Sequence, residues 1–363
     1  MSKVLRPAFV LPLVAFVGGL LVGKWAFGEP GVVPPPPVAI DLGRPASYLA
    51  LGDSYSAGEG LKPYLEGTQD ATEGGDRCHR SALAYASLLQ FVHPTNLRFR
   101  ACSGAVVANV FDVVQDHGGV PDSQGLQVTP DLASDNVGLV TMTMGGNDLD
   151  FAKVLSFCFW HGPDCSQLPY KDDETLTDWA DSRLSELKVD LINLYERLDA
   201  AFPEARILVL GYPPLFPLKA PPIHGARAAL CATLFAEWTT PEREAIRSWG
   251  SNLNRVIQEA AQAVGADIEY VDVAPYFAGH EPCGAGGQWV QFVGIPDKGS
   301  RDGFFHPLPD GQRMMARIVS CYLDVFPEPT TPRTKTTNYA MTGCVSTGAA
   351  EVLTTSQPIA PSP

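Results

Sequence analysis

The sequence predicts an α/β fold in which a central parallel sheet is covered by helices on both faces. Three observations point there: short apolar runs that read as buried strands, helical patterns filling the intervals between them, and a single long globular stretch without internal repeats. The strand-like runs are Tyr48 to Leu51, Leu97 to Ala101, Leu139 to Met144, Ile207 to Leu210 and Ile268 to Val273. Helical patterns cover Ala82 to Val92, Leu176 to Ala201, Pro241 to Val264 and Pro309 to Tyr322. In open sheets of this kind ligands bind beyond the carboxyl ends of the strands. The residues just after each strand therefore carry most of the functional information.

The flanks divide the 363 residues into four parts. Residues 1–28 read as an export signal, with Lys3 and Arg6 ahead of an apolar run from Ala8 to Gly23. That run is 16 residues, shorter than the roughly 20 a spanning helix needs. Ala26-Phe27-Gly28 sets small residues at the positions a signal peptidase reads; an uncleaved anchor, extended through Trp25 to Phe27, is the other reading. Residues 29–44 contain the run Pro34 to Pro37 and read as a stiff extended linker. Residues 45–326 form the globular domain. The tail, 327–363, is rich in Thr, Ser and Pro and too poor in large apolar residues to order itself, unless Cys344 ties it back to Cys321.

Charge and cysteine content narrow the function classes. The formal net charge is −14, and the first 28 residues carry Lys3, Arg6 and Lys24 but no acid, so the remainder is more acidic still. Such a surface repels phosphate backbones, which excludes nucleic acid as a partner. No obligate protein partner is evident, and the chain reads as a monomer. The eight cysteines include no C-x-x-C pair, so a zinc ribbon or thioredoxin-like site is not expected. Pairing sequence neighbours gives Cys78–Cys102, Cys158–Cys165, Cys231–Cys283 and Cys321–Cys344, but spacing alone leaves other connectivities open. Each bond would contribute about 2–4 kcal/mol in an oxidising compartment. Together with the N-terminus they place the domain outside the cytoplasm.

Four blocks fall at strand ends or before the last helix. They are Gly52-Asp53-Ser54, Cys102-Ser103-Gly104-Ala105, Gly145-Gly146-Asn147-Asp148 and Asp302-Gly303-Phe304-Phe305-His306-Pro307. Acyl transfer needs an activated hydroxyl, a base for its proton and donors for the developing oxyanion. Ser54 can supply the hydroxyl and His306 the base. The backbone N–H groups of Ser54 and Gly104 and the Asn147 amide can supply the donors. Singly these signals are weak: Gly-Asp-Ser is commonly a turn or cap, Gly-Gly-Asn-Asp a loop, and a lone histidine before a helix a surface residue. Their order, three blocks at successive strand ends and the fourth before the last helix, is what carries the inference.

With these blocks the chain resembles the SGNH, or GDSL-type, hydrolase family, over most of residues 45–326. The resemblance implies a flavodoxin-like three-layer α/β/α sandwich. It aligns Ser54 with the family nucleophile, Gly104 and Asn147 with the oxyanion-hole residues, and His306 with the base. It is nearer still to the secreted actinobacterial esterases and lipases, through Cys102-Ser103-Gly104-Ala105 and through Gly279-His280-Glu281-Pro282-Cys283 followed by Trp289. Their three disulfides imply Cys78–Cys102, Cys158–Cys165 and Cys231–Cys283; Cys321–Cys344 falls outside that pattern. One position departs from the family. Where most members place an aspartate three residues before the histidine, this chain has Gly303, with Asp302 one residue further back. Either Asp302 reaches the imidazole through a shifted loop, or a main-chain carbonyl near Gly303 accepts the ring N–H, leaving a Ser-His dyad.

Other candidates are set aside. No Gly-x-Ser-x-Gly elbow occurs, and His280-Glu281 lacks the second histidine of a zinc protease. His280 reads as structural, and His79, His93, His117, His161 and His224 as surface or loop residues. Acyl-pocket residues are expected on loops, including Leu149, Phe151 and the segment from Cys158 to Cys165. The resemblance implies a secreted carboxylesterase or lipase that acts on a small-molecule or lipid ester and needs no metal or organic cofactor. An acyltransferase of the same fold acting on sugar or cell-wall hydroxyls, and a non-catalytic glycan- or cell-wall-binding protein, are the alternatives.

Overall fold

The computed structural model describes residues 33–69, 75–116, 125–133, 135–161, 165–171, 174–217, 231, 239–265, 267–291, 304–327, 341 and 343–345. Five strands form its main sheet: β1 (Ala46–Ala50), β2 (Thr95–Phe99), β3 (Val137–Met142), β4 (Arg206–Leu210) and β5 (Ile268–Val271). All pairings are parallel and the spatial order is β2-β1-β3-β4-β5. This is the flavodoxin-like order, and its switch point lies between β1 and β3, where successive connections leave in opposite directions. Ala50 lies opposite Phe99 on one side and Thr141 on the other, so the carboxyl ends of the three strands are level.

The strands read as unbroken apolar runs because both faces are buried. Tyr48 and Ala50 join one core cluster while Leu49 and Leu51 join the other; Leu208 and Leu210 divide from Ile207 and Val209 in the same way. Full burial of each large aliphatic side chain contributes about 1.5–3 kcal/mol. One face is covered by α4 (Leu176–Ala201) and α5 (Thr240–Val264), which pack on each other through Leu187, Leu191, Leu253 and Ile257. The other is covered by α6 (Pro309–Val325), whose Met315, Ile318 and Val319 are fully buried. The three helix starts are each marked by a capping group or a proline. Thr175 accepts from Asp178 N at 3.1 Å ahead of α4, Thr239 and Glu242 form a capping box ahead of α5, and Pro309 opens α6.

Two elements differ from the sequence expectation. The helix expected over 82–92 contracts to α2 (Tyr85–Leu88), because Gln90 and Phe91 leave it to pair in parallel with Ala39 and Ile40. Ala84 offers no side chain to cap it. Conversely, the segment expected as a pocket loop contains α3 (Phe151–His161), which buries Val154, Leu155 and Cys158 at helical spacing.

Disulfides join Cys78–Cys102, Cys158–Cys165, Cys231–Cys283 and Cys321–Cys344. The first anchors the loop after β2, and the last brings Cys344 against α6, where Arg317 donates to its carbonyl at 2.6 Å. No helix among the described residues is long and apolar enough to cross a membrane.

Candidate active site

The chain leaves β1 through Gly52, whose φ of +121° is open to glycine and strained for other residues. Gln127 brackets that peptide, accepting from Gly52 N and donating to Gly52 O, each at 2.8 Å. Asp53 then caps the single turn α1 (Ser54–Ala57), its Oδ1 accepting from Tyr55 N at 3.0 Å. This sharp strand-to-helix turn presents Ser54 Oγ 2.7 Å from His306 Nε2.

The other ring nitrogen, His306 Nδ1, lies 2.8 Å from the main-chain oxygen of Phe304. A carbonyl only accepts, so Nδ1 carries the hydrogen and Nε2 is left as the acceptor facing Ser54. The turn that aims this carbonyl is pinned on several sides. Phe305 sits at φ +62°, its N–H donates to Gln291 O at 2.6 Å, and its carbonyl accepts from Tyr55 OH at 2.5 Å. The Tyr55 ring also packs on the imidazole, centroids 5.0 Å apart. Burial pushes the His306 pKa below its ordinary value, while the charge of Glu59 and the Phe304 carbonyl pull partly the other way. Glu59 is itself buried, which favours its neutral form, but hydrogen bonds from His79, Ser103 and Tyr64 outweigh burial and hold its pKa low.

Gly104 is exposed, with φ +81°. Among the described residues its N–H and that of Ser54 make no hydrogen bond to protein. Asn147 Nδ2 donates to Ala105 O at 2.9 Å, and Asp148 accepts from Val107 N at 3.1 Å. The second and third blocks are thus laced by a pair of bonds running in opposite directions. One Asn147 amide hydrogen is used in this; the group has two. Burial raises the Asp148 carboxyl to about 6, with the Val107 bond acting against it.

Beneath Ser54 runs a buried chain of hydroxyls. Tyr48 OH and Tyr85 OH meet Thr141 Oγ1 at 2.7 and 3.0 Å, Tyr85 OH meets Ser56 Oγ at 3.2 Å, and Ser56 Oγ meets Thr143 Oγ1 at 2.8 Å. Thr143 Oγ1 donates to Asp53 Oδ1 at 2.7 Å, and Tyr212 OH to Asp53 Oδ2 at 2.5 Å. Burial raises the Asp53 carboxyl to about 6, opposed by these donors. Ser56 is fully buried, so of the two serines in the motif only Ser54 is accessible.

Ser54, Asn147 and His306 line one cavity of about 570 Å³, whose walls include Phe151, Leu155, Leu215, Ile246 and Phe304. Leu149, expected there, is buried in the core instead. His280 stacks on Trp289 with centroids 3.4 Å apart, and its Nδ1 donates to Gly287 O at 3.0 Å, which is structural packing. Asp302 and Gly303 lie outside the described residues. Among the described residues, no three His, Cys, Asp or Glu side chains gather as a metal site requires.

A main-chain carbonyl near Gly303 is one of the two expected partners of the imidazole, and the carbonyl facing Nδ1 is that of Phe304. Two groups at the site went unnoticed in the sequence: Glu59 and Tyr212. Tyr212 follows β4 by two residues, so the strand-end rule that found the first three blocks would have found it if extended one strand further. Glu59 carried no signal, being an ordinary acid in a loop.

The model of the GDSL-like lipase/acylhydrolase family matches residues 50–314. A lipase of Streptomyces rimosus is 31% identical over 269 residues, 73% of this chain and 82% of its own. The solved extracellular lipase of the same organism superposes with a TM-score of 0.55 at 24% identity, covering 76% of this chain and 98% of the other, a likeness of fold. Phospholipase A1 from Streptomyces albidoflavus NA297 superposes with a TM-score of 0.52 at 26% identity, covering 74% and 94% respectively.

Proposed function

The chain belongs to the GDSL-like lipase/acylhydrolase family and is a carboxylic-ester hydrolase, and from that premise we propose that it acts through an acyl-enzyme on Ser54. His306 Nε2 takes the hydroxyl proton as Ser54 Oγ attacks the ester carbonyl. The resulting oxyanion is held by the N–H groups of Ser54 and Gly104 and by the second amide hydrogen of Asn147. The imidazolium then protonates the leaving alcohol. Water, deprotonated by the same nitrogen, attacks the acyl-enzyme and returns free Ser54 and a carboxylic acid.

The observation that carries the reading is the relay from Ser54 Oγ to His306 Nε2 and from His306 Nδ1 to Phe304 O, at 2.7 and 2.8 Å. It favours the dyad, in which a carbonyl does the orienting usually left to aspartate. The apolar walls suit an acyl chain, and the relatives, a lipase and a phospholipase A1, point to lipid esters. Export fits four disulfides and the extracellular relative, with 1–28 as signal, 29–44 as linker, 45–326 as the catalytic domain and 327–363 as tail.

Initial rates on a chain-length series of p-nitrophenyl esters test this. Ser54→Ala and His306→Ala should lose turnover on every ester, and Asp302→Ala should stay within about threefold of the parent. Several orders of magnitude lost in a folded Asp302→Ala protein would end the dyad reading.

A further inference from the structure

We infer that Tyr212 is a positioning residue, a single phenol that ties the turn bearing Ser54 to the turn bearing Asn147. The inference rests on the roles given to those two residues above.

The hydroxyl of Tyr212 donates to Asp53 Oδ2 at 2.5 Å and accepts from Gly146 N at 3.2 Å. An amide N–H can only donate, so the one phenolic hydrogen is directed to Asp53 and the lone pair to Gly146. These partners are the immediate neighbours of Ser54 and Asn147 in the chain. Nucleophile and oxyanion donor thus share a hydroxyl one residue away from each.

The phenol is itself fixed. Tyr212 N donates to Asn254 Oδ1 at 2.7 Å, and Asn254 Nδ2 donates back to Tyr212 O at 2.9 Å, which fastens the residue to α5. Its ring meets the Tyr55 ring edge-on, centroids 5.0 Å apart, and Tyr55 in turn lies against His306. Tyr212 is 8% exposed, so water cannot replace its hydroxyl cheaply. The Asn147 side chain is already tied to the second block through Ala105 O. Tyr212 adds the tie to the first, and the three turns close into one frame. A donor must sit within a few tenths of an ångström of the oxyanion it serves, and a displacement of about 1 Å can cost on the order of 10²-fold in rate.

Tyr212→Phe keeps the ring and removes both bonds. Expected is a fall in kcat of roughly tenfold or more with KM within about twofold, because aim rather than ester binding is lost. Asn147→Ala alone should cost on the order of 10²–10³ in kcat, and adding Tyr212→Phe to it less than about threefold more, since the side-chain amide that the tie aligns with Ser54 is already gone. The inference is overturned if Tyr212→Phe turns over at the parent rate, if only KM rises, or if the two losses multiply in full. Urea midpoints establish that each variant is folded. Should Tyr212→Phe not fold, the same cycle is run with Asn254→Ala, which unfastens Tyr212 from α5 and shifts kcat in the same direction with the same coupling to Asn147. Labelling by a fluorophosphonate probe separates the two levels. A parent enzyme not labelled at Ser54 defeats the proposed mechanism itself, whereas a labelled parent with an unaffected Tyr212→Phe variant defeats only the role of Tyr212.

Discussion

Gly52→Ala is a substitution of one methyl group, yet two costs converge on it. The first is the backbone: at φ +121° a residue with a β-carbon is strained by about 1–3 kcal/mol. The second is space. A β-carbon there would stand 2.6 Å from Ser56 Oγ, 2.6 Å from Thr143 O and 2.9 Å from Thr143 N. None of these can easily give way. Thr143 O accepts from Asp53 N at 3.0 Å, and Thr143 N donates to Ser56 Oγ at 3.0 Å, so the methyl would wedge apart the bonds that fix the nucleophile turn to β3. Overpacking of this kind costs about 1–3 kcal/mol more. The sum is roughly 2–6 kcal/mol, which at a urea slope of about 3 kcal/mol/M lowers the unfolding midpoint by about 1–2 M. Relief of the clash moves Ser54, so kcat should also fall by about 10²-fold in whatever fraction stays folded. Urea unfolding followed by tryptophan fluorescence, with disulfides intact, and ester turnover at low urea measure the two effects. A variant with parental midpoint and parental kcat would refute both the strain and the wedge.

Three further perturbations address the relay and its surroundings. Asn147→Ala should lower kcat by on the order of 10²–10³, since one amide donor to the oxyanion is lost, while the lost bond to Ala105 O costs about 1 kcal/mol and lowers the urea midpoint by only about 0.3 M. Catalysis needs neutral His306, and burial lowers its pKa, so the acid limb of kcat/KM should fall below the ordinary histidine value of about 6.5. The charge of Glu59 favours the imidazolium, so Glu59→Gln should move that limb further down; a limb that moved up would contradict the sign. Replacing Cys78 and Cys102 together by serine should cost about 3 kcal/mol for a loop of 24 residues, read as the urea midpoint, and should lower kcat as the Gly104 loop loosens.

Much of the fold was legible because its strands are buried on both faces and its long helices are capped. Leu176–Ala201 begins behind Thr175 and reads as one apolar stripe; Ile207 to Leu210 can be nothing but a buried strand in that setting. What was not legible is where tertiary contacts override local pattern. Gln90 and Phe91 are helical by local spacing but find a partner strand at Ala39 and Ile40, which lie some fifty residues earlier. Phe151–His161 follows a Gly-Gly-Asn-Asp turn and so looked like more of the same loop. At the site, side chains were legible residue by residue, and main-chain groups only to within a residue or two. Ser54, Asn147 and His306 announce themselves as residue types, whereas a carbonyl belongs to every residue, so the sequence puts the acceptor near Gly303 without separating it from Asp302 or singling out Phe304 O. Tyr212 was missed because the strand-end reading stopped at the third strand; its place two residues after β4 marks it for attention, and its two partners give it a role.

The most direct measurement is intact-mass analysis followed by peptide mapping after reaction with a fluorophosphonate probe. A Ser54 nucleophile activated by His306 gives one adduct per chain, located on Ser54, with loss of ester hydrolysis in proportion to labelling and no adduct in Ser54→Ala. An adduct on another residue, or undiminished hydrolysis by the Ser54→Ala protein, would contradict it.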